Sequence, residues 1–152
     1  MNICEKLFQF INYIFYRKYI KAICVLQNGY IEFNEIIDNE ININIVLNNL
    51  KPYSIYSFHI HENGDLRNIY SNLNNMYTPF RNESLNLKYI NELTNVILDK
   101  DGNLNIEMNS KLIKLRNNSS IIGRSVIIYE GFHCHNNINN KIIDYGIIGY
   151  TK

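Results

Sequence analysis

Short stretches in which apolar and polar residues alternate constrain the fold of this chain more than any other feature. Residues 41–45 read Ile-Asn-Ile-Asn-Ile, and residues 30–33 and 104–108 follow the same period of two. That period buries one face of a β-strand and exposes the other. Dipeptides typical of turns, Asn-Gly at 28–29 and Asp-Gly at 101–102, separate the stretches. Many short strands at this spacing predict an all-β sandwich or barrel.

The size and charge of the chain limit its class. With 152 residues, of which 46% are hydrophobic, it is long enough for one domain with a substantial core. The formal net charge is +1, so we expect no broad attraction to nucleic acid and no nucleic-acid partner. Asn, Ile, Lys and Tyr are used heavily, which is typical of an AT-rich coding genome.

Two segments do not follow the strand rhythm. Residues 66–92 contain few alternating apolar positions and many Asn and Ser residues, and residues 131–142 form a second segment of this kind. Long loops in compact domains are usually functional or disordered. We therefore predict a β-domain that carries two long loops.

The first twenty residues form a further region with its own pattern. Five apolar residues fall on one helical face: Ile3, Leu7, Phe10, Ile11 and Ile14. We interpret residues 1–20 as an amphipathic N-terminal extension that packs on the barrel or a partner, or lies on a membrane surface. Polar residues such as Glu5 and Gln9 interrupt the apolar run, which argues against a signal peptide and a spanning helix.

Two motifs in the remaining chain resemble those of a known family. Residues 58–65 read Phe-His-Ile-His-Glu-Asn-Gly-Asp, and residues 121–130 read Ile-Ile-Gly-Arg-Ser-Val-Ile-Ile-Tyr-Glu. Both resemble signature segments of copper/zinc superoxide dismutase. Further similar segments follow the family's order: 21–26, 92–96, 99–102 and 146–149. The resemblance covers residues 21–152 and implies a Greek-key β-barrel or sandwich of that type.

The resemblance also implies a metal centre whose ligands are only partly present. His59 and His61 stand at the positions of two copper-ligand histidines. Other residues hold the remaining matched ligand positions: Tyr129 and Tyr77 for copper, and Tyr89 and Glu92 for zinc. Ile142 holds the place of the arginine that attracts superoxide in the family.

These replacements alter the chemistry of the implied centre. A phenol has a pKa of about 10 and stays protonated unless a metal displaces the proton. Copper(I) and zinc in such sites prefer imidazole or thiolate ligands. We therefore expect no catalytic residue and no resident cofactor, with at most weak copper binding by His59 and His61.

A second histidine pair leaves an alternative open. His133 and His135 flank Cys134 in the second long loop. One interpretation is a rebuilt metal site that uses both pairs, and the other is that the loop histidines are unrelated to the first pair. Without metal, His59 and His61 would be buried, hydrogen-bonded imidazoles, and the Tyr129 phenol could partner one of them.

The cysteines indicate a reducing compartment. The family's disulfide joins a Cys in the first long loop to one before the last strand, but residues 66–92 contain no Cys and Tyr145 holds the second position. We interpret Cys24 as a buried small hydrophobe, and Cys4 and Cys134 as free thiols.

Three functions follow from this resemblance. The first is a catalytically inactive superoxide dismutase-like protein, of a kind found in poxviruses, that serves as a decoy, scaffold or virion component. The second is a residual metalloenzyme, and the third is a copper-binding protein without turnover. The first function places the chain in the host cytoplasm or the virion.

The same resemblance suggests partners for the inactive form. They are a second copy of the chain, a host superoxide dismutase or its copper chaperone. We expect the pairing surface near the last strand and the loop after Leu47, with Ile148 and Tyr150 at or near it.

Overall fold

The structure is a computed structural model that describes residues 2–16, 19–69, 95–132 and 141–152. In these residues one α-helix precedes eight β-strands, and a single 3₁₀ turn follows the second strand. The elements are α1 (Ile3–Tyr16), β1 (Lys21–Leu26), β2 (Gly29–Glu35), the 3₁₀ turn (Ile37–Asn39), β3 (Ile41–Leu47), β4 (Ile55–His61), β5 (Val96–Ile97), β6 (Leu104–Ser110), β7 (Ser125–Glu130) and β8 (Ile142–Tyr150).

The strands form one nearly closed antiparallel barrel. Their order in the sheet is β5-β4-β7-β8-β1-β2-β3-β6, so the open edges are β5 and β6. Neighbours that are distant in sequence, such as β3 beside β6 and β4 beside β7, give the barrel Greek-key connections. The predicted all-β barrel is confirmed.

The alternating stretches of the sequence are the strands that cover the core. Residues 41–45 lie in β3, residues 30–33 in β2 and residues 104–108 in β6, as predicted. The core contains the inward side chains of several strands, including Ile31, Phe33, Ile43, Ile45, Phe58, Val126 and Ile128, all 0–1% exposed. Burial of apolar surface on this scale is the main stabilising contribution to the fold.

The β1–β2 hairpin shows how a turn is held by a distant strand. The backbone N–H groups of Gln27 and Asn28 donate to the buried carboxylate of Asp144 in β8, at 3.0 and 2.9 Å. At Gly29, φ is +155° and a Cβ would lie 1.9 Å from the carbonyl oxygen of Val46. Only glycine fits this close approach of two strands.

Two sequence-based predictions need correction. The second long loop was predicted to extend to Ile142, but Ile142 is the first residue of β8, where it pairs with Tyr129. Ile148 was predicted at or near a pairing surface, yet its side chain is fully buried in the core and cannot contact a partner. Its neighbour Ile147 points outward and is 47% exposed, while Tyr150 is 66% exposed.

The first loop lies largely outside the described residues, which stop at 69 and resume at 95. The N-terminal extension contains α1, as its periodicity predicts, and the exact division at residue 20 stays a prediction. In the described segments, no helix combines the length and apolar character needed to cross a bilayer. Cys4 is exposed and Cys24 buried, both as free thiols, whereas Cys134 lies outside the described residues.

Candidate functional site

The two histidines of β4 lie in a part of the sheet whose inner and outer faces are both buried. Tyr56 and Phe58 face the barrel core, and the intervening residues face away from it. Nevertheless Ser57, His59 and His61 are only 0%, 4% and 6% exposed. The period of two therefore places both imidazoles together on a covered outer face.

Tyr129 of β7 completes this cluster. Its backbone pairs with Ser57, and its ring centroid lies 5.7 Å from that of His59 and 6.1 Å from that of His61. The Tyr129 hydroxyl lies 3.1 Å from Nε2 of His61, within hydrogen-bonding distance. The hypothesis that this phenol partners one of the histidines is confirmed.

Burial sets the protonation state of the phenol. Desolvation raises the pKa of Tyr129 above its ordinary value, because a phenolate would lose its hydration in this position. At neutral pH the hydroxyl is therefore protonated. When it donates to Nε2 of His61, that imidazole must be neutral and carry its proton on Nδ1.

Hydrogen bonds to backbone carbonyl groups hold the end of β4 beside the start of β7, next to the cluster. The Arg124 guanidinium donates to the carbonyl oxygens of Ser120 and Glu62, at 2.9 and 3.0 Å. A Cβ on Gly64 would lie 2.1 Å from the carbonyl oxygen of Gly123, so these two segments touch directly. Arg124 lies just before β7, so these hydrogen bonds connect the start of that strand to the end of β4.

An aliphatic residue borders the cluster on the next strand. Ile142 of β8 pairs with Tyr129, where a bulge between Ile128 and Tyr129 shifts the register. Ile142 is partly buried and brings no charge to this edge. Ile127, which pairs with His59, is fully buried on the same outer face.

The comparison with protein families decides the relationship of this chain. The model of the family described as copper/zinc superoxide dismutase (SODC) matches residues 27–144. The chain belongs to the copper/zinc superoxide dismutase family. This match spans most of the barrel, from the β1–β2 turn into β8.

Individual relatives agree with this assignment. Superoxide dismutase [Cu-Zn] of Paramecium bursaria Chlorella virus 1 is 29% identical over 119 residues, which are 74% of this chain and 63% of that protein. Superoxide dismutase [Cu-Zn] 5 of Dictyostelium discoideum is 30% identical over 121 residues, 73% of this chain and 78% of that protein. The chain thus spans less than two thirds of the viral relative.

A solved structure is similar in fold. The crystal structure of the clock protein EA4 superposes with a TM-score of 0.71 at 23% identity, and the match covers 90% of this chain and 98% of that one. At this identity the likeness establishes the fold of the barrel and nothing finer.

The structure brings together only part of the ligand set implied by the family. His59, His61 and Tyr129 form one cluster, and Ile142 lies beside it. The other matched positions and the second histidine pair lie outside the described residues: Tyr77, Tyr89, Glu92, His133 and His135. Ser57 is an additional member of the buried face that sequence reasoning missed, although its position two residues before His59 is the signal.

The described residues supply only part of the donor set of a superoxide dismutase copper centre. Within the described residues, no three His, Cys, Asp or Glu side chains are grouped in a way that could hold a metal ion. The cluster offers two imidazoles, and one nitrogen of His61 is engaged by a protonated phenol. A copper ion that alternates between two oxidation states needs ligands suited to both states.

Proposed function

We propose that this chain is a catalytically inactive copper/zinc superoxide dismutase-like protein that keeps the barrel as a binding scaffold. The hydrogen bond between Tyr129 and His61 carries the proposal. A metal at this position would have to displace the phenol from Nε2 of His61. It would then have to use either a neutral hydroxyl or a phenolate whose formation burial opposes.

The edge of the site supports the same conclusion. Superoxide is an anion, and a cationic side chain near the reacting centre raises its local concentration. Ile142 pairs with Tyr129 at the position where the family resemblance implies an arginine. An aliphatic side chain provides no such attraction, so residue 142 would not guide superoxide to a bound copper ion.

The decisive experiment measures superoxide turnover and bound metal in the same samples. We expect copper- and zinc-loaded wild type to show no turnover above that of free copper. Tyr129→His supplies an imidazole and should raise copper occupancy, whereas the matched control Tyr129→Phe removes the hydroxyl without supplying a ligand. Wild-type turnover near that of an authentic superoxide dismutase, abolished by His61→Ala, would contradict the proposal.

The metal analysis also separates the alternatives. Stoichiometric copper without turnover would favour a copper-binding protein that uses His59 and His61 with His133 and His135. Copper-dependent turnover that requires the second pair would favour a residual metalloenzyme. The closeness of His59 and His61 on one buried face is the observation that keeps these alternatives open.

We further infer that no structural zinc supports the barrel. Structural zinc contributes about 10–16 kcal/mol in small zinc-dependent peptides. The barrel has a continuous apolar core, which we expect to stabilise it without zinc. Its melting temperature should therefore hardly change when EDTA removes metal. A large decrease with EDTA would reveal a structural metal.

The scaffold's partner is proposed to be a second copy, a host superoxide dismutase or its copper chaperone. Exposed apolar residues on two adjacent strands support a pairing surface: Val25 on β1 is 66% exposed, and Ile147 on β8 is 47% exposed. A stable interface there should bury about 1,200–2,000 Å².

Sedimentation of the protein, alone and mixed with each candidate partner, tests this surface. We expect Ile147→Asp to abolish association and Ile97→Asp, on the distant strand β5, to leave it intact. A monomer in every mixture at tens of micromolar would remove the pairing surface from the proposal.

The viral part of the proposal concerns where the scaffold works. The similarity to a chlorella-virus protein named superoxide dismutase and the Asn- and Ile-rich composition support a viral origin. The poxvirus type is our proposal from the family resemblance alone. A decoy would act in the host cytoplasm, and a virion component would be packaged. Mass spectrometry of purified virions and of infected cytoplasm distinguishes the two locations.

A further inference from the structure

Helix α1 presents apolar side chains to solvent. Ile3, Leu7 and Phe8 are 85%, 57% and 66% exposed, so the first two turns of the helix do not bury these residues on the barrel. The helical periodicity of the sequence continues the face of Ile3 and Leu7 through residues 10–14.

The start of α1 is encoded locally. The Asn2 side-chain oxygen accepts a hydrogen bond from the Glu5 N–H at 2.8 Å, and the Glu5 carboxylate accepts one from the Asn2 N–H at 2.9 Å. This reciprocal arrangement caps the helix without help from the barrel. An isolated helix of 14 residues is only marginally stable in water, so a surface that covers its apolar face would stabilise it.

The charge around α1 is unbalanced. Residues 1–31 contain four basic residues (Lys6, Arg17, Lys18 and Lys21) and one acid (Glu5), which gives 4 − 1 = +3. Because the whole chain carries +1, residues 32–152 carry 1 − 3 = −2. In the sequence, three of the four basic residues lie within five positions, 17–21, directly after α1.

We infer that α1 is a docking element for an anionic lipid surface. Its apolar face would lie at the boundary between headgroups and acyl chains, about 5–10 Å into the membrane. The basic residues would face the negatively charged headgroups of lipids such as phosphatidylserine. A second copy of α1 fits less well, since it would bring two segments of charge +3 together.

The connection to the barrel fits this arrangement. Four residues separate Tyr16, the end of α1, from Lys21, the start of β1. Even a fully extended linker of this length spans only about 14 Å. Docking of α1 would thus hold the barrel against the membrane and raise its concentration there, whatever the barrel itself binds.

A tryptophan reporter tests the inference directly, because the chain contains no Trp. Phe8→Trp in the full-length protein should show blue-shifted fluorescence and co-sedimentation with vesicles of phosphatidylcholine and phosphatidylserine at 7:3. We expect at least a tenfold weaker affinity for phosphatidylcholine alone, and a similar loss in high salt, because the attraction is partly electrostatic.

Two variants of equal charge separate apolar insertion from simple charge attraction. Leu7→Asp places the new charge on the apolar face and should abolish vesicle binding. Gln9→Asp places the same charge at an exposed polar position and should retain most of it. Thermal melts of both proteins should match wild type, which would show that the barrel is intact.

Three outcomes of the vesicle experiments would overturn the inference. They are no binding to the anionic vesicles, equal effects of the two variants, or equal affinity for neutral and anionic vesicles. Lipid-independent dimerisation that Leu7→Asp abolishes would also overturn it, since the apolar face would then be covered by a second copy.

Discussion

The two halves of the barrel use the same strand period in different ways. In β2 and β3, inward residues are buried and outward ones are partly exposed, so one face contacts the core and the other water. In β4 and β7, runs of four consecutive residues are buried, 56–59 and 125–128. Because β4 and β7 are buried on both faces, the polar side chains on their outer face are shielded from water.

That difference explains why the candidate site lies where it does. The outer face of β4 and β7 carries two imidazoles, a phenol and two serine hydroxyls, which need internal partners once water is excluded. Tyr129 and His61 supply one such contact. Ser57 Oγ, by contrast, has no hydrogen-bond partner among the described residues.

The largest expected effect contrasts an inward and an outward residue of β8. Ile148→Asp places a carboxylate in the apolar core and should prevent folding or cost more than about 4 kcal/mol. Ile147→Asp, one residue earlier and half exposed, should melt close to wild type as a monomer. Urea unfolding of both variants measures the difference, and equal stabilities would mean that the inward and outward faces of β8 are assigned wrongly.

The next contrast concerns the two described thiols. Burial raises the pKa of Cys24 from 9.0 to about 12, the Asp144 carboxylate adds to this, and a backbone hydrogen bond from Val126 opposes it. The shift of 12 − 9.0 = 3 lowers the thiolate population at pH 8 by about 10³-fold. We expect a thiol reagent to label Cys4 in the native protein.

The same reagent should label Cys24 only after unfolding. Mass spectrometry of the labelled peptides distinguishes these cysteines from Cys134. Because the folded pKa of Cys24 is raised, its contribution to stability is complete below pH 9 and is lost as the pH rises through about 12. Rapid native labelling of Cys24 would show that its strand opens easily.

A smaller effect is expected from the buried charge in the alternating half. Among the described residues of β2 and β3, only Glu35 is both charged and buried. The Arg116 guanidinium donates hydrogen bonds to the Glu35 carboxylate from Nε at 2.9 Å and from Nη2 at 2.7 Å. Arg116→Ala would leave this carboxylate buried without that partner and should cost about 2 kcal/mol, since Arg116 is itself partly solvated.

Chemical denaturation measures this cost. Arg67→Ala removes an arginine whose contact with Asp65 is exposed, and it is the matched control that should cause no measurable change. If both variants unfold at the same denaturant concentration, the Glu35–Arg116 ion pair stabilises the fold no more than the exposed Asp65–Arg67 pair does, despite the burial of Glu35.

The smallest effect tests the buried outer face. Tyr129→Phe removes the hydroxyl that contacts His61 and should cost about 1 kcal/mol at pH 7. Because burial raises the folded pKa of Tyr129, its contribution to stability is complete below about pH 10 and is lost as the pH rises further.

Urea unfolding between pH 8 and pH 11 checks both parts of this prediction. Wild type should lose more stability above about pH 10 than Tyr129→Phe does, because Tyr129→Phe lacks the ionisable phenol whose pKa burial raises. Tyr150→Phe, at an exposed position, should follow wild type. Parallel curves for all three proteins would show that the Tyr129 hydroxyl is accessible to water.

Much of the fold could be predicted from the sequence, because a period of two has one structural solution. Residues 41–45 alternate Ile and Asn and lie in β3, while residues 21–26, which were identified through the family resemblance, are β1. The errors fall in β8, where residues 147 and 148 are both isoleucine and no polar neighbour distinguishes inward from outward. Apolar runs identify a strand without identifying which of its faces meets the core.

The candidate site divides in the same way. The spacing of His59 and His61 determined by itself that the two imidazoles share a face, since alternate residues of a strand point the same way. Only the tertiary structure decided that this face is buried, that Tyr129 bonds to His61, and that Ile142 borders them. The Tyr129–His61 contact joins residues 68 positions apart, and the geometry of all these contacts depends on strand pairing and register, which local periodicity does not contain.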